Sequence, residues 1–148
     1  MRKLLTGIAL SLVFTGAAMA SDYIVVNSTD ASIKRGQSYD AGARVALGAG
    51  QTVTLMRASG EITTLRGAAG GVAVPGARHA AADAARFETL RALVQPPPEG
   101  RTFGARRGGI CPAIETLTSL DDIVRVADTS GCKSVARQAL EAYLAKSN

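Results

Sequence analysis

The residues with the most chemistry to offer are two cysteines (Cys111 and Cys132), one histidine (His79), the adjacent carboxylates Asp121 and Asp122, and an arginine-bearing stretch from Arg101 to Gly109. Two cysteines serve as a redox pair, as metal ligands or as a disulfide. Redox proteins space them as C-x-x-C, and a zinc site needs more histidine or cysteine than this chain owns. In an oxidising compartment the remaining reading is a structural disulfide. It closes a loop of about 22 residues, for which the chain-entropy model gives about 3 kcal/mol.

A nucleophile needs a nearby base, and His79 lies at the start of an Ala-rich stretch beside Arg78, a setting for a solvated surface residue. The chain contains neither a G-x-S-x-G elbow nor a histidine-pair metal motif. Neighbouring helix positions diverge by about 100°, so Asp121 and Asp122 do not face each other as an acid–base pair would. They suit the first turn of a helix, where the dipole favours negative charge. Gly67 to Gly71 and Gly104 to Gly109 are glycine-rich, but neither joins a strong strand to a helix as a phosphate cradle does. The expectation is therefore a protein without catalytic, cofactor-binding or metal-ligating residues. Arg101, Phe103, Arg106 and Arg107 remain as candidate contacts for an acidic partner such as lipopolysaccharide phosphate, an acidic glycan or an acidic protein. The plainer account of that stretch is a solvated loop.

The compartment assumed for the cysteines comes from the N-terminus. Met1-Arg2-Lys3 is a positive start, Leu4 to Phe14 is apolar and uncharged, and Ala18 and Ala20 supply the small residues of a cleavage site. The run is too short and too rich in Gly, Ser and Thr for a good membrane span. Residues 1–20 therefore suggest a cleavable bacterial signal peptide. Ser21, in place of the Cys of a lipoprotein, would become the new N-terminus of a soluble periplasmic or secreted product. Cleavage removes Arg2 and Lys3, so the formal charge falls from +5 to +3 (5 − 2). Charge this modest, with Tyr23, Tyr39, Phe87, Phe103 and Tyr143 dispersed along the chain, does not suit a nucleic-acid binder, which needs a basic face and stacking platforms.

Two periodicities divide the mature chain into an α+β fold: a small antiparallel β-sandwich or roll, followed by a helical half. From residue 21 to 71 short apolar runs alternate with glycine-bearing turns. The sharpest signal is Gln51 to Arg57, then Ala58-Ser59-Gly60, then Glu61 to Gly67. A three-residue hairpin loop wants positive φ at its last position, where Gly60 sits. That register sets Arg57 opposite Glu61, Met56 opposite Ile62, Thr54 opposite Thr64 and Val53 opposite Leu65, all favourable cross-strand pairs. Residues 72–76 form a small-residue linker with at most a short strand at Val72 to Val74.

Residues 77–148 form the helical segment, interrupted by a Pro-rich break at 95–100. Ala77 to Val94 carries Ala80, Ala84, Phe87, Leu90 and Val94 at helical spacing. Thr116 to Ala127 predicts a helix with Leu120, Ile123, Val124 and Ala127 inward, and Thr118 or Ser119 as its working cap. Lys133 to Lys146 predicts a final amphipathic helix, with Val135, Ala136, Ala139, Leu140, Tyr143 and Leu144 on one side.

Within the β half, Arg35-Gly36-Gln37, Asp40-Ala41-Gly42-Ala43, Leu47-Gly48-Ala49-Gly50, Val53-Thr54-Leu55, Ser59-Gly60-Glu61 and Leu65-Arg66-Gly67 resemble the β region of the FecR-like periplasmic proteins. The resemblance covers about residues 33 to 67. It implies a non-catalytic β module that reads envelope conditions through protein contacts. The signal peptide, in place of a membrane-spanning helix, and the cysteine-bearing tail depart from that pattern, so transmembrane signalling does not carry over. The expected function is a binding or adaptor protein contacting an envelope protein or acidic surface polymer. The rivals are an inhibitor or immunity-type protein that uses the Arg101–Gly109 loop against an exported enzyme, and an enzyme with an unrecognised site.

Overall fold

A computed structural model of the chain describes residues 21–76, 84–96, 110–129 and 131–147. The Gln51–Gly67 hairpin forms in the expected register. β4 (Thr52–Arg57) and β5 (Ile62–Arg66) pair antiparallel, with Val53 opposite Leu65, Thr54 opposite Thr64 and Met56 opposite Ile62. Beyond the ladder, the Arg57 N–H donates to the Glu61 carbonyl at 2.9 Å. The two threonine hydroxyls lie 3.3 Å apart, and the Arg57 guanidinium reaches the Glu61 carboxylate at 3.3 Å. Gly60 has φ +91°, and a Cβ built there would lie 3.0 Å from Leu120 Cδ2. Gly60→Ala therefore meets both backbone strain and a helix side chain. It is expected to cost more than about 1 kcal/mol, read as a lower urea midpoint at unchanged m-value. A midpoint equal to wild type would show that the loop re-forms without glycine.

β1 (Tyr23–Ser28) inserts beside this hairpin, and β2 (Ser38–Tyr39) flanks it, giving a four-stranded sheet in the order β2-β1-β4-β5. β3 (Arg44–Val45) and β6 (Val72–Ala73) make a separate antiparallel pair, so the small-residue stretch after β5 supplies a strand. Tyr23 to Val26 and Val53 to Arg57 are buried without alternation because the four-stranded sheet is covered on both faces. On one side Tyr23, Val25, Val53, Leu55 and Leu65 pack with Ile33, Val45, Leu47 and Val74. On the other, Ile24, Val26, Met56 and Ala58 pack against the helices. The result is a three-layer arrangement with two cores separated by one sheet, which bears out the α+β class.

α1 (Ala84–Val94) buries Phe87, Leu90, Leu93 and Val94, whereas Ala84, expected on the inner stripe, is exposed at its first turn. Residues 77–83, including His79, lie outside the described residues. The helix expected from Thr116 begins instead at Leu120. Ile114–Thr116 is a short 3-10 turn, and Ser119 is extended, its hydroxyl oxygen accepting the Asp122 N–H at 3.1 Å. That capping bond sets the start of α2 (Leu120–Asp128) and is worth about 1 kcal/mol. Leu120, Ile123 and Ala127 are buried as expected, and Val124 is half-buried. α3 (Lys133–Lys146) has the expected bounds and buries Ala136, Ala139, Leu140 and Leu144, with Val135 and Tyr143 packed at the core margin.

Candidate binding site

The two cysteines are joined: Cys111 and Cys132 form a disulfide with Cα atoms 5.6 Å apart. Cys132, itself buried, is the N-cap residue of α3, so the bond ties the chain before the 3-10 turn to the first turn of the last helix. Arg101, Phe103, Arg106 and Arg107 lie outside the described residues. The described chain resumes at Ile110, a fully exposed large apolar side chain next to the disulfide. Asp121 and Asp122 diverge as helix geometry demands. Asp121 pairs with Arg86 of α1, while Asp122 accepts the Ser119 hydroxyl at 2.6 Å and faces Arg125 at 3.3 Å.

The arginines are mostly internal stitching. Arg86 Nε donates to the Ala58 carbonyl at 2.7 Å, joining α1 to the β4–β5 turn. Arg91 Nε reaches the Gly36 carbonyl at 3.3 Å, and Arg137 Nε the Leu93 carbonyl at 3.0 Å. The Arg137 contact satisfies a carbonyl that the end of α1 leaves without a helical partner. Arg57, largely buried, pairs with Glu61 and stands 5.3 Å from the Tyr23 ring centroid. Arg44 donates to the Gly70 carbonyl, Arg125 pairs with Asp122, and Arg35 pairs with Glu141 of α3. Among the described arginines, Arg66 alone has no such partner. It is exposed at the end of β5.

Two features of the sheet converge near β5. A register irregularity between Val25 and Asn27 breaks the β1–β4 ladder. As a bulge does, it turns two successive residues, Val26 and Asn27, toward one cleft. That cleft, of about 260 Å³, is lined by these two with Arg35, Thr54, Ile62, Glu141, Leu144 and Ala145. The Arg35–Glu141 pair sits in its wall, between the β1–β2 connection and α3. A second hollow, of about 240 Å³, lies between α1 and the α2–α3 junction, lined by residues including Glu88, Thr89, Asp128 and Lys133.

β5 is also an outer strand. Its ladder to β4 is bracketed by Arg57 N–H to Glu61 O at 2.9 Å and Gly67 N–H to Gln51 O at 2.8 Å. Antiparallel pairing alternates, so the odd-numbered residues bond to β4 and Ile62, Thr64 and Arg66 turn their N–H and C=O groups outward. Among the described residues no hydrogen bond occupies that outward row. Thr64 and Arg66 are exposed and Ile62 is half-buried at the cleft. The alternation was legible once the hairpin register was read. That β5 lies at the sheet edge was not, because strand order depends on contacts remote in sequence.

Titration shifts occur away from this row. Hydrogen bonds from the Ser32 hydroxyl and N–H hold the Asp30 carboxyl below its ordinary value. Partial burial, followed by the Asp30 charge, raises the Tyr39 hydroxyl. Both groups shape the β1–β2 connection.

Fold and site together define a disulfide-closed α+β domain whose outer strand β5 presents an open edge beside a partly apolar cleft. No protein-family model matches the chain, and no curated protein or solved structure matches it. No helix among the described residues is long and apolar enough to cross a membrane. That fact and the disulfide are compatible with an exported protein.

Proposed function

We propose that this is an exported, non-catalytic binding or adaptor domain of the periplasm or the secreted fraction, contacting another envelope component through the β5 side of its sheet. The observation that carries the reading is the unoccupied outward row of Ile62, Thr64 and Arg66 beside the Val26–Leu144 cleft. Exposed sheet edges are usually covered or blunted, and this one is held on a scaffold closed by a disulfide and by arginine contacts between layers. The signal-peptide pattern of residues 1–20 supports export. The resemblance of residues 33 to 67 to FecR-like proteins supports a β module that works by protein contact.

An inhibitor or immunity-type role has one observation in its favour: Ile110, exposed and anchored by Cys111, directly follows the arginine stretch. A photo-crosslinking residue placed in turn at Thr64, Ile110 and Arg44 of the exported protein separates these readings. The expected result is a specific envelope adduct, protein or polymer, from position 64 and none from 44. Adducts from 110 alone would favour the inhibitor, and no adduct from 64 would sink the proposed site.

A further inference from the structure

We infer that the occupant of the β5 edge is an extended polypeptide segment of another protein, added antiparallel to β5, with a carboxylate opposite Arg66 and an apolar side chain opposite Ile62. The inference rests on the binding reading above and names the partner of that site. An outward row of N–H and C=O groups recurs every second residue, about 6.8 Å apart, and a β-strand is the ligand that reproduces this spacing in both donors and acceptors. Antiparallel addition lets each outward residue exchange both hydrogen bonds with the residue opposite it, and every pairing in the existing sheet is antiparallel.

The side chains then set the sequence of the guest. Residues directly opposed across an antiparallel pair lie on the same face of the sheet. The residue opposite Ile62 therefore stands on the helix side, next to the cleft formed by Val26, Thr54 and Leu144, which favours an apolar side chain. The residue opposite Arg66 meets the one described arginine that has no carbonyl or carboxylate of its own, which favours a carboxylate. Because the guest runs against β5, its acidic residue comes first, a β-branched residue faces Thr64 two positions later, and the apolar residue follows two positions after that.

The β5 edge of a second copy of this chain does not meet the requirement. The outward row contains Ile62, Thr64 and Arg66 and no carboxylate. Every face-matched self-pairing within this row sets Arg66 against isoleucine, threonine or another arginine. The edge is thus biased against its own kind and toward an acidic guest.

The test uses the oxidised mature protein and two capped peptides, Ser-Glu-Ser-Thr-Ser-Val-Ser and its reversal Ser-Val-Ser-Thr-Ser-Glu-Ser, titrated to millimolar concentration and followed by amide NMR. The first peptide is expected to shift and protect the Ile62, Thr64 and Arg66 amides and to bind more tightly than the reversal. Thr64→Pro removes an outward N–H and the hydroxyl contact with Thr54 but no backbone bond of the β4 ladder, so it is expected to weaken binding about tenfold or more. Arg66→Glu is expected to reject the glutamate peptide and accept its lysine counterpart, a rescue that a folding defect does not produce. Equal binding of both peptides, binding unchanged in Thr64→Pro, or no binding at all would overturn the inference. If peptides fail while crosslinks from position 64 to an envelope component persist, the binding reading stands and strand addition does not. Concentration-dependent dimerisation through β5 would likewise overturn it.

Discussion

Replacing Cys111 and Cys132 with serine is expected to lower the stability of the domain by about 3 kcal/mol, a fall in Tm of about 10 °C. The bond closes a sequence separation of 21 residues, and the closed segment contains the 3-10 turn and all of α2. Without it the unfolded chain gains freedom over that span, while the folded state loses its tie at the N-cap of α3. Cys132 is buried, so serine also places a hydroxyl where a sulfur packed. Thermal unfolding followed by circular dichroism, on the variant and on wild type with and without reductant, measures the effect. The variant and reduced wild type should unfold together, well below the oxidised protein. If reductant leaves Tm unchanged, the bond contributes nothing to stability and this account of it fails.

An effect of similar or larger size is expected in the sheet. Leu55 and Met56 are adjacent and fully buried, yet they belong to different cores: Leu55 to the one shared with β3 and β6, Met56 to the one shared with the helices. Each truncation to alanine is expected to cost about 2–5 kcal/mol. The disturbances should travel in opposite directions. Leu55→Ala is expected to move amide resonances around Val45, Leu47 and Val74, and Met56→Ala those around Leu90, Ile123 and Leu140. Chemical denaturation gives the cost and NMR gives the direction. Disturbance of the helix layer by Leu55→Ala as strong as by Met56→Ala would refute the two-core description. Since domains of this size are stable by only about 5–15 kcal/mol, the double variant is expected to be largely unfolded.

The parts of the fold legible in the sequence are those with local causes. The Gln51–Gly67 hairpin follows from a glycine at the one loop position that needs positive φ and from cross-strand pairs that agree in one register. The limits of α3 follow from its apolar spacing, and the Ser119 cap from the acidic turn behind it. The cysteine pairing follows from count and compartment. What the sequence hid depends on distance. β1 joins β4 across more than twenty intervening residues, and no local pattern announces that pairing. β2, β3 and β6 are two residues each, too short for an alternation to show. The irregularity near Val26 interrupts an unbroken apolar run and so leaves no trace in composition. Thr116 looked helical by pattern, and Ser119 overrode it by offering a hydroxyl to the Asp122 N–H. The candidate site inherits this division: its residues lie in the best-read hairpin, but their availability comes from the sheet order.

The central strands β1 and β4 are covered on both faces, and this bears on how the domain forms. A segment ending at residue 76 would carry Ile24, Val26, Met56 and Ala58 without the helices that cover them. Those helices follow the strands in chain order and so emerge from the ribosome after them. Through most of its synthesis the N-terminal half is thus an unfinished surface, adhesive and prone to wrong partners. Completion of the domain waits on α3, and holding factors would have their longest window on the early strands.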